Sequence, residues 1–281
     1  MVGAGVEGVK SKELFPAMFS RNAAAYQQRL DGIMARKEAR GRQRVIELLD
    51  LRPGMRVLDL ACGPGTLSKP IAALVAPDGE LVGVDLAEGM IQLARAAGIP
   101  SASFQVMDIE QLAFPDAWFD AAACGHGLQF VPDLARALGE AHRVLRPGAR
   151  FAASVPLSND NQRPWMVIDE VVDRWLPPAP AATDQQSTRS MVADPDAFRA
   201  LALSAGFAVA QVEAIEEKVR WESAEQLVGL CMSWWDLAAR VERLAPDRRQ
   251  AFMDDAIATL RRDHPGPIET VGRNHVLFAT A

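Results

Sequence analysis

The sequence predicts an α/β protein with a doubly wound, mostly parallel sheet, and three observations carry that expectation. Short apolar strands alternate with amphipathic helices through the first half of the chain, the helices stop at turn residues, and a run of very small residues follows the first strand. Alternation at this spacing calls for right-handed crossovers, and ligands of such sheets bind beyond the carboxyl ends of the strands.

The elements follow in order. Residues 56–61 read as a buried strand and 67–76 as the helix after it, with Pro70 confined to the first turn. After the turn at 76–79 come a second strand (80–87) and a helix (88–98) closed by Gly98. Strands at 102–108, 119–125 and 150–156 continue the sheet, with an amphipathic helix at 133–145 before the turn at 146–148. The second half changes character. It offers a helix at 164–176, a loop-like stretch at 177–190, a capped helix at 194–207 and a long strand at 208–221. A helix apolar nearly all round (224–244) and a last strand (275–281) complete it. Residues 1–20 read as a flexible tail and 21–281 as one domain, with segments 157–193 and 222–265 forming a helical lid.

Composition narrows the functional classes. An apolar fraction of 49% and a charged fraction of 23% suit a globular chain, and no apolar run is long enough to span a bilayer. Membrane insertion is therefore not expected, and without a cationic start before an apolar stretch the cytoplasm is the expected compartment. A net charge of -6 works against a nucleic-acid partner. The basic run at 35–44 is interrupted by Glu38 and fits a solvated helix face. Cys62, Cys124 and Cys231 lie far apart, so neither a zinc site nor a disulfide framework is expected.

The stretch "VLDLACGPGTLS" (57–68) poses the functional question. Glycine at such a turn permits unusual backbone angles and lets a ligand lie against the main chain, while the following helix offers free N–H groups. A dinucleotide fingerprint would need glycine three residues after Gly65, where Ser68 stands, and the Gly-Lys-Ser/Thr of a phosphate-cradling loop is absent.

The stretch resembles the first motif of class I S-adenosylmethionine-dependent methyltransferases, read as Asp59, Ala61, Gly63 and Gly65, with Ala61 departing from the family's glycine. Asp85, 26 residues beyond Asp59, stands where the family's ribose-binding acid ends the second strand, or else it caps the next helix. The segment 104–120 looks like the family's third element, in which Asp108 accepts from the adenine amino group and Ile109 packs on the ring; the alternative is a turn carboxylate. Segments 119–133 and 137–151 look like the fourth strand with the helix and turn after it. The resemblance is closest to the ubiquinone-biosynthesis-type small-molecule enzymes and covers residues 20 to 156 most strongly.

That resemblance implies a Rossmann-like methyltransferase fold, a seven-stranded sheet with an antiparallel last strand. It also implies S-adenosylmethionine as cofactor, S-adenosylhomocysteine as product, no metal, and a small, hydrophobic or aromatic acceptor on a monomer or homodimer. It adds Tyr26, Leu86, Met90 and Cys124 to the cofactor set, Tyr26 as an aromatic face for a sulfonium or else as a sheet-packing residue. His126, just after the fourth strand, is the candidate general base, and Gln129 either touches the acceptor or closes the turn. Trp165, Trp234 and Trp235 are candidate acceptor contacts, although tryptophans at helical spacing also build cores. His142 is expected at the surface and His275 in the packing of the last strand. A cofactor-binding protein of this fold without transfer remains the alternative. A short-chain-type dehydrogenase lacks its Tyr-x-x-x-Lys pair, and a base-modifying enzyme lacks its N-P-P-Y-like tetrad, since "CGHG" (124–127) follows the fourth strand.

Overall fold

In the computed structural model the described residues are 9–157, 162–178, 182–184, 186–232, 237 and 240–281. Seven strands form one sheet in the order β3-β2-β1-β4-β5-β7-β6. These are β1 (Arg56–Leu60), β2 (Glu80–Asp85), β3 (Ala102–Val106), β4 (Phe119–Gly125), β5 (Leu145–Pro156), β6 (Val209–Trp221) and β7 (Ile268–Thr280). β7 runs antiparallel to both neighbours, and the other pairs are parallel.

β1 is central because Val57, Leu58 and Leu60 are sealed on both faces, as parallel strands covered by helices must be. On one face, α6 (Leu134–Val144) and α9 (Pro195–Ser204) pack Leu138, Val144 and Phe198 against Phe119 and Phe151. The other face carries α3 (Arg40–Leu48), α4 (Ser68–Val75) and α5 (Glu88–Ala96), whose Val45, Ile71 and Ile91 meet Val57 and Leu81. Caps act where expected. Asp194 accepts the N–H groups of Asp196 and Ala197, and Gly98, past the end of α5, takes φ +59°.

β5 ends at Pro156 opposite Asn274, but β6 and β7 continue as a paired ribbon to Trp221 and Ile268. This ribbon stands above the carboxyl edge of the sheet. It carries a second core in which α7 (Arg163–Trp175), α10 (Ala224–Cys231) and α11 (Pro246–Asp263) bury Val167, Leu227, Phe252 and Leu260 around Trp221. The Trp221 indole N–H donates to Thr270 Oγ1 at 3.0 Å.

Several expectations need correction. The flexible tail instead contains α1 (Ser11–Arg21), which buries Phe15 and Met18. The basic run at 35–44 spans the break between α2 (Ala23–Ala35) and α3. The loop-like stretch holds α8 (Gln186–Ala193), and the helix expected over 224–244 stops at Cys231, with Met232 in a turn. β7 begins seven residues before His275, at Ile268. Its polar first half reads as loop in sequence, whereas pairing with β6 makes it strand. His142 is half-buried, its ring edge-on to Phe207 at 5.2 Å. His275 is buried in β7, its Nδ1 2.9 Å from the Val192 carbonyl.

Candidate functional site

The turn after β1 is shaped by left-handed backbone. Ala61, Gly63 and Gly65 adopt φ of +52°, +56° and +86°, angles cheap for glycine and costly for a residue with a β-carbon. Asp85, at the end of β2, holds this turn to the next helix. One carboxylate oxygen accepts the Gly63 N–H at 2.9 Å and the other the Ala87 N–H at 2.8 Å. Burial raises the Asp85 pKa, and the N–H groups of Ala87, Gly63 and Leu86 oppose it. Asp59 lies beneath the turn, 1% exposed, accepting from Ser68 Oγ at 2.6 Å, and burial pushes its carboxyl up to about 7 against that hydrogen bond.

Beyond the carboxyl ends of β1, β2 and β4 a cleft of about 750 Å³ opens. Among the residues selected from the sequence, Tyr26, Ala61, Gly63, Asp85, Leu86, Met90, Asp108, Ile109 and His126 line it. Others do not. Asp59 faces a smaller adjoining cavity with Arg42, Gly63 and Thr66. A β-carbon on Gly65 would lie 3.2 Å from Ile99, so that glycine serves packing. Cys124 is buried in β4, its thiol pushed up to about 12 by burial. Gln129 Nε2 donates to the His126 carbonyl at 2.8 Å, closing the turn. Trp165 packs against the second core from α7, and Trp234 and Trp235 lie outside the described residues.

Sequence reasoning missed one wall. α1 sets Ser11, Lys12, Phe15 and Phe19 over the cleft. Phe15 and Phe19 meet Phe130 at 5.0 and 5.2 Å, and Phe19 stands edge-on to Tyr26 at 5.7 Å. The Lys12 ammonium lies 2.6 Å from Asp108 Oδ2 and 2.5 Å from Glu110 Oε2, tying the helix to the loop after β3. The available signal was the spacing of Leu14, Phe15, Met18 and Phe19, which repeats with helical period.

Around Tyr26, α2 and α3 set two arginines, of which Arg42 lines the adjoining cavity. Arg42 donates to the Tyr26 hydroxyl at 3.3 Å, and the Arg29 guanidinium lies 5.1 Å from the Tyr26 ring centroid. His126 holds φ +64° and donates its backbone N–H to the Ser154 carbonyl at 2.9 Å. Its ring nitrogen Nε2 is shut away from water, and the Asn274 side chain is the polar group within its reach. Burial lowers the His126 pKa well below the ordinary imidazole value, Arg42 and Arg29 adding to the shift and Asn274 opposing it.

The donor set matches an adenosine joined to an amino acid. One carboxylate ends β2 and another lies in the loop after β3, apolar side chains lie between them, and the main chain is bare at Gly63. In the adjoining cavity Asp59 Oδ1 and Thr66 Oγ1 are buried without partners beside Arg42, which suits a charged amino-acid end. No His/Cys/Asp/Glu group able to hold a metal occurs among the described residues.

Residues 58–153 match the family model described as a methyltransferase domain. The chain is 32% identical over 237 residues to nocamycin O-methyltransferase of Saccharothrix syringae, an alignment covering 78% of this chain and 82% of that one. It is 38% identical over 173 residues to 2-phytyl-1,4-naphtoquinone methyltransferase of Synechococcus elongatus, covering 56% and 72%. Among solved structures, a Haemonchus contortus phosphoethanolamine N-methyltransferase 2 in complex with S-adenosylhomocysteine superposes with a TM-score of 0.52 at 15% identity, over 85% of this chain and 52% of that one. A Bacillus halodurans C-125 protein provisionally classed as a methyltransferase gives 0.54 at 16% identity, over 85% and 97%. At such identities the structural likeness is one of fold alone.

Proposed function

The chain belongs to the class I S-adenosylmethionine-dependent methyltransferases and acts on small metabolites, and from that premise we propose that methyl transfer takes place in the cleft between Asp85 and His126, onto an oxygen of a hydrophobic acceptor. The observation that carries this reading is the convergence of Asp85, Asp108, Gly63 and His126 on one cleft. Oxygen is favoured because the relative that aligns with 78% of the chain is named as an O-methyltransferase. A hydrophobic acceptor suits the aromatic rim of Phe15, Phe19 and Phe130 and the quinone substrate in the second relative's name.

When bound, S-adenosylmethionine supplies a methyl group on a positively charged sulfur. Asp85 would take the ribose hydroxyls while its main-chain partners hold it in place. Asp108 would accept from the adenine edge, with Leu86, Met90 and Ile109 packing on the ring. Gly63, Asp59, Thr66 and Arg42 would receive the amino-acid end, and Tyr26 would face the sulfonium. Lys12 keeps α1 over the cleft through the same Asp108, so the aromatic side chains of α1 cover it. Alignment in a dry site can lower a displacement barrier by about 7–11 kcal/mol, more than a positioned base contributes. His126, held neutral by burial and two nearby cations, suits orienting the acceptor better than storing a proton.

The test is formation of S-adenosylhomocysteine from S-adenosylmethionine with a panel of hydroxylated aromatic acceptors. Asp85→Ala should lose at least about tenfold in cofactor affinity by calorimetry. A chain that binds the cofactor yet methylates nothing in the panel would instead fit the binding protein without transfer.

A further inference from the structure

His126 lines the cleft with its ring backed by a buried amide. Its backbone N–H donates to the Ser154 carbonyl at 2.9 Å, which sets the residue beside the carboxyl end of β5. Asn274 of β7 lies opposite Pro156, the last residue of β5, and is 1% exposed. Its side chain is hydrogen-bonded to the His126 ring. The amide has room there because residue 41 is glycine: a β-carbon on Gly41 would lie 3.1 Å from both Cβ and Cγ of Asn274. The Gly41 N–H donates to Glu217 Oε1 at 2.8 Å, which holds the start of α3 against the β6–β7 ribbon.

The chemistry of the two groups decides the direction of the bond between ring and amide. His126 Nε2 and Asn274 Oδ1 are both shut from water, and neither has any other partner among the described residues. An amide oxygen only accepts, so Nε2 is the donor and carries the imidazole proton. A neutral imidazole has one N–H, and this ring is held neutral: burial, Arg42 of α3 and Arg29 of α2 oppose a second proton and outweigh the Asn274 oxygen. Nδ1 therefore keeps its lone pair. The two nitrogens of an imidazole point apart, so a ring that gives Nε2 to β7 turns Nδ1 away from it.

We propose that Asn274 is a positioning residue for methyl transfer: it fixes His126 in the Nε2–H tautomer, so that Nδ1 faces the cleft as a hydrogen-bond acceptor for a hydroxyl of the substrate. This rests on the methyltransferase reading above, and it narrows the substrate to a molecule that arrives with an O–H to donate. A carboxylate or an ether oxygen would set lone pair against lone pair. What such a contact contributes is alignment of the oxygen with the methyl carbon.

The test has two readouts on the full chain. With the four histidines labelled with nitrogen-15, and His126→Ala identifying the signals of that ring, NMR should show the proton on Nε2, protected from exchange, and a bare Nδ1. Asn274→Leu, which replaces the amide by an apolar side chain of similar shape, should remove that protection. It should also lower kcat several-fold, up to about tenfold, with a hydroxylated aromatic acceptor from the panel above. Asn274→Asp keeps an oxygen for Nε2 and adds a negative charge that favours the imidazolium, whose Nδ1 is protonated and cannot accept. It should retain more of kcat at high pH than Asn274→Leu and bring in an acid limb where the parent is flat. Both variants should bind S-adenosylhomocysteine as the parent does, which also reports that they fold. A proton on Nδ1 in the parent, an unaltered ring signal or unaltered kcat in Asn274→Leu, or a flat profile in Asn274→Asp overturns the inference. So does loss of S-adenosylhomocysteine binding in both variants, which would make Asn274 a residue of the fold alone. A parent chain that binds no S-adenosylhomocysteine defeats the methyltransferase reading itself.

Discussion

The β-carbon of Ala61 occupies the space that a side chain at Gly127 would have to enter. The turn after β1 and the turn after β4 thus approach so closely that only one of these two positions can carry a methyl group. Gly127→Ala should destabilise the fold by about 1–3 kcal/mol, the usual cost of overpacking. Ala61→Gly alone should be neutral or stabilising, since a left-handed backbone costs a residue with a β-carbon about 1–2 kcal/mol. Combined, the two changes should recover part of the loss, with a coupling within about 0.5–3 kcal/mol. Recovery is partial because the Cys124 sulfur also crowds a β-carbon at Gly127. Urea unfolding of the four proteins measures the cycle, and strict additivity would contradict the contact.

Asp59, beneath the same turn, makes stability depend on pH. Its carboxyl is pushed up to about 7 in the folded chain, from an ordinary value of 3.8. Between those two values the folded state holds a proton that the unfolded state has released. Stability contributed by this group is therefore present at low pH, falls as pH rises through the window, and stays low above about 7. Asp59→Asn keeps an acceptor for Ser68 and removes the ionisation. Its urea midpoint should gain on that of the parent as pH is raised across the window. Parallel curves for the two proteins would show that burial does not perturb Asp59.

Gly89 governs the wall that α1 builds. A β-carbon there would come within 2.6 Å of the Ser20 carbonyl and 2.8 Å of the Ser20 Cα, while the Gly89 N–H donates to the Ser20 hydroxyl oxygen at 3.1 Å. Gly89→Val should push α1 off α5 and open the cleft. Residues 11–21 should become susceptible to protease and affinity for S-adenosylhomocysteine should fall about tenfold or more, as expected when apolar contacts over a ligand are lost. The urea midpoint should hardly move, because the sheet core lies elsewhere. Unaltered proteolysis would mean that α1 does not depend on this approach.

How far the sequence reveals the site depends on whether the determining contacts are local. The turn around Gly63, the acid of Asp85 and the acid of Asp108 each follow a strand directly, so spacing along the chain marks them. α1 is different: its apolar spacing is visible, but the surfaces that hold it, Gly89 and Phe130, belong to distant segments. Trp165 shows the reverse problem, because nothing in its neighbourhood of sequence separates an acceptor contact from packing beside Val167 and Leu227. Arg29 and Arg42 read as ordinary polar residues of helices. That both gather at the Tyr26 ring appears only when α2 and α3 come together.

His126 offers the last test, and pH separates its two roles. A general base with an ordinary imidazole pKa would give a rate that falls as pH drops through about 6.5. In this chain the pKa lies well below that, so the ring is already neutral across the usual range and kcat/KM should be flat through it. His126→Asn tolerates the left-handed backbone at this position and keeps a hydrogen-bonding side chain. It should lower kcat by less than His126→Ala, and the alanine variant should lose about tenfold, the worth of one positioning hydrogen bond, with unchanged affinity for S-adenosylhomocysteine. Loss of about a hundredfold or more in both variants, together with an acid limb near 6.5 in the parent, would instead make His126 the proton acceptor. It would also require an acceptor that arrives with its proton still attached.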